Sequence, residues 1–480
     1  MMDHVRDTWM HFLPGGFLAH LSTIAGFLLA FFLVARLVGE RRAPANTFAW
    51  LLVIVLIPWL GVPLYLLIGG RKLRRLVAGK QILCPVLPGA HPEASDEICL
   101  PVANTVVGAG ACAPMGGNHV HFLATGEEDF AQLEAGIQGA RHSIHITTFI
   151  LTRDDTGRRI VNLLASRAKE GIKVRLLLDA IGSLWTRGKF VDPIRRAGGE
   201  VGRFMPVVPF SSRGSANLRN HRKMAIFDHQ IAMIGGRNIA KEYMGPTPYE
   251  KRWRDFGAVI EGPGAVLLNE IFIADWCFAT RQPIEKLNAE IPPNVIQSRG
   301  NCELQVVASG PDVPGDPLYE GIVSMIQEAE KSIWIVTPYF IPDDVLLRSL
   351  IVKARAGRDV TIIVPAKSNH PVTDYARRYY VRELRKAGAR ILLFDGGMLH
   401  AKAVVIDDRV GLMGSPNFDL RSLFVNFEIG VLIYSRPEVL GIRSWIEQLM
   451  AVCREPQIDP SRHFAGSLAE DISRLLAPLL

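Results

Sequence analysis

The stretch GMLHAKAVVIDDRVGLMGSPNFDLRSLFVNF, Gly397 to Phe427, concentrates chemically costly side chains at fixed spacing. His400 and Lys402 stand two apart at the head of an apolar run, Val404 to Ile406, that ends at Asp407. A period of two puts imidazole and ammonium on one face of a strand, where both can touch one anion. Ser415 and Asn417 follow beside Gly414, where a chain can pass close to a ligand and offer hydroxyl and amide donors for a phosphate. Glu428 comes next and is placed to hold an imidazole.

A half-exposed polar strand edge would explain one such motif; a second copy removes that reading. NHRKMAIFDHQIAMIGGRN, Asn220 to Asn238, repeats it with His221, Lys223 and Asp228 at the spacing of His400, Lys402 and Asp407. Gly236 and Asn238 fall where Ser415 and Asn417 fall, and Asp255 lies nearly where Glu428 does. The duplication extends outward from the motifs. ARHSIHITTFIL, RRIVNLLASRAKEGI and KVRLLLDA read as strand, helix and strand, and EKSIWIVTPYFI, VLLRSLIVKARAGR and DVTIIVPA repeat the order. Each unit then runs through a further helical segment, FVDPIRRAGGEV or YYVRELRKAGARI, to its His-x-Lys strand. Strands alternating with helices predict two tandem α/β sandwich units, 118–295 and 296–480, with mostly parallel sheets and pseudo-twofold packing that brings His221 and His400 together.

The 480 residues at 49% hydrophobic allow two such units, and a net charge of +7 fits anionic substrates, an anionic membrane surface or nucleic acid alike. The six cysteines are scattered without CxxC or His pairing, which reads as reduced thiols with neither a zinc site nor a disulfide framework. Phe17–Val38 and Phe48–Ile68 each have about the 20 apolar residues that a bilayer span needs, and read as a transmembrane hairpin within residues 1–75. Pro58 and Pro63 are placed to kink the second run. Arg71, Lys72, Arg74, Arg75 and Lys80 crowd its exit, so the positive-inside rule puts both termini and the catalytic part in the cytoplasm. Residues 76–117, rich in Pro, Gly and Ala, read as a linker, and Gly466–Leu480 as a helix packed on the core.

HxKxxxxD twice, each followed by a Gly-rich or Gly-Ser turn and Asn, resembles the phospholipase D superfamily. AWLLVIVLIPWLGVPLYLLIGGRK, TPYFIPD, GMLHAKAVVID, GSPNFDLRSLFVNFE and the ending SRLLAPLL are similar to the membrane-anchored bacterial cardiolipin synthases. The resemblance implies transfer of a phosphatidyl group between two phosphatidylglycerol molecules, releasing glycerol, in the bacterial inner membrane and without a metal or other cofactor. It further implies His221 as nucleophile and His400 as acid, with Asp255 orienting His221 and Glu428 orienting His400. Independently of the resemblance, Lys223, Lys402, Asn238 and Asn417 are the groups that can neutralise a phosphodiester. Asp228 and Asp407 have two readings, catalytic or tying strand to turn. The chain lacks the aromatic-interleaved basic groove of a nucleic-acid binder. Hydrolytic phospholipase D differs only in whether water performs the second attack.

Overall fold

The computed structural model describes residues 44–65, 99–186, 188–206, 218–292 and 296–456, with single positions between 24 and 32. The chain divides into two compact units, residues 1–76 with 208–217, and residues 77–207 with 218–480.

In the larger unit, the first half contributes β1 (Met115–Leu123), β2 (Ser143–Thr148), β3 (Lys173–Asp179), β4 (Glu200–Phe204), β5 (Met224–Phe227), β6 (Ile231–Gly235) and β7 (Gly257–Glu261). The second contributes β8 (Cys302–Ser309), β9 (Ser332–Val336), β10 (Phe340–Ile341), β11 (Asp359–Pro365), β12 (Arg390–Phe394), β13 (Ala403–Ile406), β14 (Val410–Gly414), β15 (Phe418–Asp419), β16 (Glu428–Ile433) and β17 (Cys453–Arg454). All but β10 and β15, which pair with each other, form one sheet in the order β17-β12-β11-β9-β13-β14-β16-β8-β1-β7-β6-β5-β2-β3-β4. Outward from the antiparallel β8–β1 seam, the two halves repeat the same strand order. The expected α/β duplication is therefore present, joined through one continuous sheet.

The sheet is less parallel than expected. β2, β3 and β4 are parallel, as are β9, β11 and β12, but β5, β6 and β7, and likewise β13, β14 and β16, run antiparallel. The cause is local. Asp228 and His229 have φ of 49° and 64°, Asp407 and Asp408 have 54° and 59°, and two consecutive positive φ values make a type I′ turn that folds each motif strand into a hairpin. Helices cover the parallel strands through matching faces. Asp155–Lys169 buries Ile160, Val161, Leu164 and Ala168 and is capped by Asp154. Its counterpart Asp344–Arg355 buries Leu346, Leu347, Leu350, Ile351 and Ala354 and is capped by Asp343.

Part of the expected linker is ordered. Cys99–Gly108 is a helix, and Cys99, Val102, Ala103 and Val106, at helical spacing, join the second half's core. Cys112 is disulfide-bonded, contrary to the expectation of reduced thiols, whereas Cys99, Cys277, Cys302 and Cys453 are not in disulfides.

In the smaller unit the second apolar run is not one helix. Pro44–Leu56 and Pro58–Leu64 are separate, divided at Ile57 (φ −134°, ψ 66°), because a proline excludes the α conformation from the residue before it. The pieces pack through Ile54, Val62 and Tyr65, with Trp50 edge-on to Tyr65. Gly61 lets them close, since a Cβ there would lie 2.4 Å from the Val53 carbonyl oxygen. Among the described residues no helix is long and apolar enough to cross a membrane. The first apolar run, apart from a few positions, and the C-terminal segment from 457 lie outside the described residues.

Candidate active site

His221 and Lys223 lie in the extended lead-in to β5, and His400 and Lys402 in the lead-in to β13. Each lead-in pairs with a segment of the opposite half. His221 N donates to Phe427 O (2.9 Å) and Phe427 N to Arg219 O (2.9 Å); Arg254 N donates to Met398 O (2.8 Å) and His400 N to Arg254 O (2.7 Å). The residues that follow Phe427 and Arg254 are Glu428 and Asp255, so each carboxylate is delivered to the histidine of the other half. His221 Nδ1 lies 2.9 and 3.0 Å from the Glu428 carboxylate oxygens, and His400 Nδ1 lies 2.7 Å from Asp255 Oδ2. The expected pairing of Asp255 with His221 and Glu428 with His400 is thus reversed. Either histidine is completed only by the other half.

A carboxylate can only accept, so Nδ1 carries the hydrogen in both rings and Nε2 is the working atom. Burial pushes His221 down to about 4 against the pull of Glu428, and pushes His400 down to about 3, with Lys402 adding to the effect. Burial likewise lowers Lys223 to about 7 and Lys402 to about 8. Burial works against Asp255 and Glu428 as anions, but His400 and His221 respectively hold both carboxyls below their usual range. Lys223 Nζ donates to His221 O (2.7 Å), whereas Lys402 donates to His400 O and its Nζ also sits 3.1 Å from His400 Nε2. These buried cations, with few acceptors of their own, are what an incoming anion would engage.

The other expected residues separate into two groups. Asn238 Oδ1 accepts from Ile150 N (3.0 Å), which fixes its amide, and Asn417 Oδ1 is buried without a hydrogen-bond partner among the described residues. Asn417 and His221 line a cavity of about 320 Å³ together with Tyr339, Asp419 and Asn426. Ser415 is differently employed. Its hydroxyl donates to Glu428 Oε2 and accepts from Ile429 N, so it supports the orienting carboxylate instead of facing a phosphate. Gly236, its counterpart, leaves room for the Asp255 carboxylate, which a Cβ would meet at 2.4 Å.

Asp228 and Asp407 are turn residues, not members of the cluster. Asp228 accepts from the backbone N–H groups of Arg141, His142 and Ser143 at 2.8, 2.7 and 2.9 Å. Asp407 does the same for Glu330, Lys331 and Ser332 at 2.5, 2.8 and 2.6 Å. They sit at the far end of the hairpin strands, roughly 16 Å from the lysines at 3.3 Å per residue.

Arg222 is a residue the motif reading missed. Lying between His221 and Lys223, it donates through Nε to Glu428 O (3.0 Å), and through the guanidinium to Asp275 Oδ1 (2.6 Å) and Ser309 O (3.2 Å). It therefore ties the first half's buried helix Pro263–Thr280 to the second half behind the site. The second motif has Ala401 at this position, so the duplication hid the difference.

A family model described as "Cardiolipin synthase, PLD-like domain" matches residues 133–276 and 322–450, the two halves built around this site. The chain belongs to the cardiolipin synthase family. A second model, described as "Phospholipase_D-nuclease N-terminal", matches residues 28–70. Relatives in the cardiolipin synthase family include the cardiolipin synthase of Geobacillus kaustophilus, 32% identical with 92% of this chain and 90% of that one covered. That of Listeria monocytogenes serotype 4a is also 32% identical, with 97% and 100% covered. Among solved structures, the phosphatidylserine synthase of Haemophilus influenzae aligns with a TM-score of 0.57 at 15% identity, covering 75% of this chain and 95% of that one, a likeness of fold.

Proposed function

We propose that this cardiolipin synthase-family enzyme transfers a phosphatidyl group from one phosphatidylglycerol to another through a phosphohistidine on His221. The observation that supports the mechanism is the pair of crossed histidine–carboxylate contacts, which engage Nδ1 of both rings and leave Nε2 as the reacting atom of each. His221 is assigned as nucleophile because it lines the cavity and is the more accessible of the two, its side chain 13% exposed against 5% for His400.

The phosphodiester anion enters between Lys223 and Lys402 and is held by Asn238 and Asn417. Neutral His221 attacks phosphorus through Nε2, the bond from phosphorus to the glycerol oxygen breaks, and His400, which takes up a proton from water as the anion draws Lys402 away, protonates that oxygen. Glycerol leaves. Neutral His400 then removes the hydroxyl proton of a second phosphatidylglycerol, whose oxygen attacks phosphorus and breaks the P–N bond. Cardiolipin departs and His221 returns to its neutral form. Asp255 and Glu428 keep both rings in the required tautomer.

The enzyme is proposed to act in the bacterial inner membrane, anchored by an N-terminal hairpin. Leu52, Val55, Leu56, Trp59 and Leu60 support this, since each of these large apolar side chains is more than half exposed, as suits contact with lipid. Given phosphatidylglycerol alone, purified enzyme is expected to release cardiolipin and glycerol in equal amounts, and added glycerol to slow net synthesis by capturing the intermediate. Phosphatidic acid as the main product would replace this reading with that of a hydrolase, in which water makes the second attack.

A further inference from the structure

We propose that Arg237 is a positioning residue that acts on His400 through Asp255, by clamping the backbone that delivers this carboxylate to the histidine of the opposite half. Arg237 stands just after β6 and is buried. Its Nη2 donates to Asp255 O (2.5 Å) in the lead-in to β7, and Nη1 and Nη2 each donate to Leu123 O (3.3 Å) at the end of β1. Because β7 lies between β6 and β1 in the sheet, one guanidinium fastens the ends of three neighbouring strands where Asp255 meets His400. The guanidinium is itself held by Asp129, from the helix Gly126–Gly139, which pairs with Nη1.

The clamp matters because the carboxylate is tied to its own backbone. Asp255 Oδ1 accepts from Phe256 N (2.8 Å) while Oδ2 faces His400 Nδ1 (2.7 Å), so a shift of this backbone moves the ring's partner with it. Burial lowers Arg237 to about 10, with Asp255 the foremost anion opposing it, so the guanidinium stays charged near neutral pH and in turn helps keep Asp255 ionised against burial. A staple of strand ends would need only Leu123 O. Yet the other orienting residue is held in the same way, Glu428 O accepting from Arg222 Nε (3.0 Å). Both arginines come from the first motif; the second has Ala401 and Pro416 in their places, whose side chains have no donor. That His400 is the acid rests on the phosphatidyl-transfer reading, whereas the clamp on Asp255 does not.

The test uses the full-length chain in mixed micelles and compares two substrates, phosphatidylglycerol and the phosphatidyl ester of p-nitrophenol. The glycerol oxygen needs a proton from His400 to leave. In the aryl ester the P–N bond forms as the bond from phosphorus to the aryl oxygen breaks, and p-nitrophenolate departs as a stable anion without one. Arg237 and Asp129 are replaced together, R237M/D129N, so that no buried carboxylate is left without its cation. Followed as consumption of phosphatidylglycerol, whatever makes the second attack, kcat should fall roughly 10- to 100-fold with KM little changed, while the first-turnover burst of p-nitrophenolate stays within a few-fold of wild type. D255N should show the same split, and combining it with R237M/D129N should cost little more than D255N alone, since both act on one ring. R237K, which keeps the charge inside the fold, should show a smaller loss with the same split. Losses in R237K and R237M/D129N that fall equally on both substrates while D255N spares the burst, or that multiply with those of D255N, would overturn the proposal and leave Arg237 a staple of the sheet. If the Arg237 variants and D255N lost the burst together while E428Q kept it, Arg237 would still act through Asp255, and the roles given to the two histidines would be exchanged.

Discussion

At the scale of single residues the two halves of the site differ where their motifs coincide. Ser415 donates to Glu428, which holds His221, whereas Gly236 has no hydroxyl to give Asp255. Ser415→Ala therefore weakens the carboxylate behind the nucleophile, and kcat should fall roughly 10- to 100-fold, the worth of a hydrogen bond to a charged group, with KM little changed. A raised KM at constant kcat would mean that the hydroxyl touches substrate after all. The pH profile follows from the same burial. In the free enzyme His221 must be neutral, which it is above about 4, and Lys223 and Lys402 must be protonated, which they are below about 7 and 8. His400, neutral above about 3, must also gain the proton it delivers, so log kcat/KM should fall by about one unit per pH unit above about 4 and more steeply as pH rises through 7 to 8. Stability moves the other way there: between those folded-state values and the ordinary lysine value of 10.5, the unfolded chain binds more protons than the folded one, so stability rises with pH. Steepening only near 10 would show that the lysines are not so depressed.

At the scale of elements, the hairpins explain why the motif aspartates are present. Each takes a left-handed conformation that aspartate tolerates and collects three backbone N–H groups from the start of the neighbouring strand. Asp228→Ala should cost about 1–3 kcal/mol of stability, measured by denaturant unfolding, while the folded fraction keeps kcat within a few-fold. Loss of turnover without loss of stability would return the residue to the catalytic group. Sequence alone left both readings open, because the spacing reports only that the aspartate ends a strand, not what its carboxylate meets. It made His221, Lys223, His400 and Lys402 legible through duplication, and the same duplication misled on pairing: both carboxylates follow their own histidine along the chain, and only the bridges at Phe427 and Arg254 carry them across. The helix Cys99–Gly108 was legible in its apolar spacing but masked by the loop-like composition around it. Arg222 had no counterpart in the second motif to draw notice.

At the scale of the whole molecule, orientation and assembly are the open consequences. By the positive-inside rule the basic residues after the second apolar run argue for a cytoplasmic catalytic part, while the disulfide at Cys112 is of a kind more at home in an oxidising compartment. We expect the charge pattern to prevail, so protease added to sealed right-side-out spheroplasts should leave the catalytic part intact, and its digestion there would reverse the orientation. Assembly is decided by the crossed contacts. One chain supplies both members of each pair, His221 with Glu428 and His400 with Asp255, and the β8–β1 seam joins the halves in one sheet. A chain lacking either histidine is then inactive by itself and has nothing to lend a neighbour. His221→Ala and His400→Ala chains, each inactive alone, should remain inactive when co-expressed and reconstituted together. If halves instead exchanged between two chains, a mixed dimer would hold one site with both histidines and one with neither. Random pairing would make half of all dimers mixed, restoring about a quarter of wild-type activity by mass action. Recovery at that level would show that the crossed pairs form between chains and not within one.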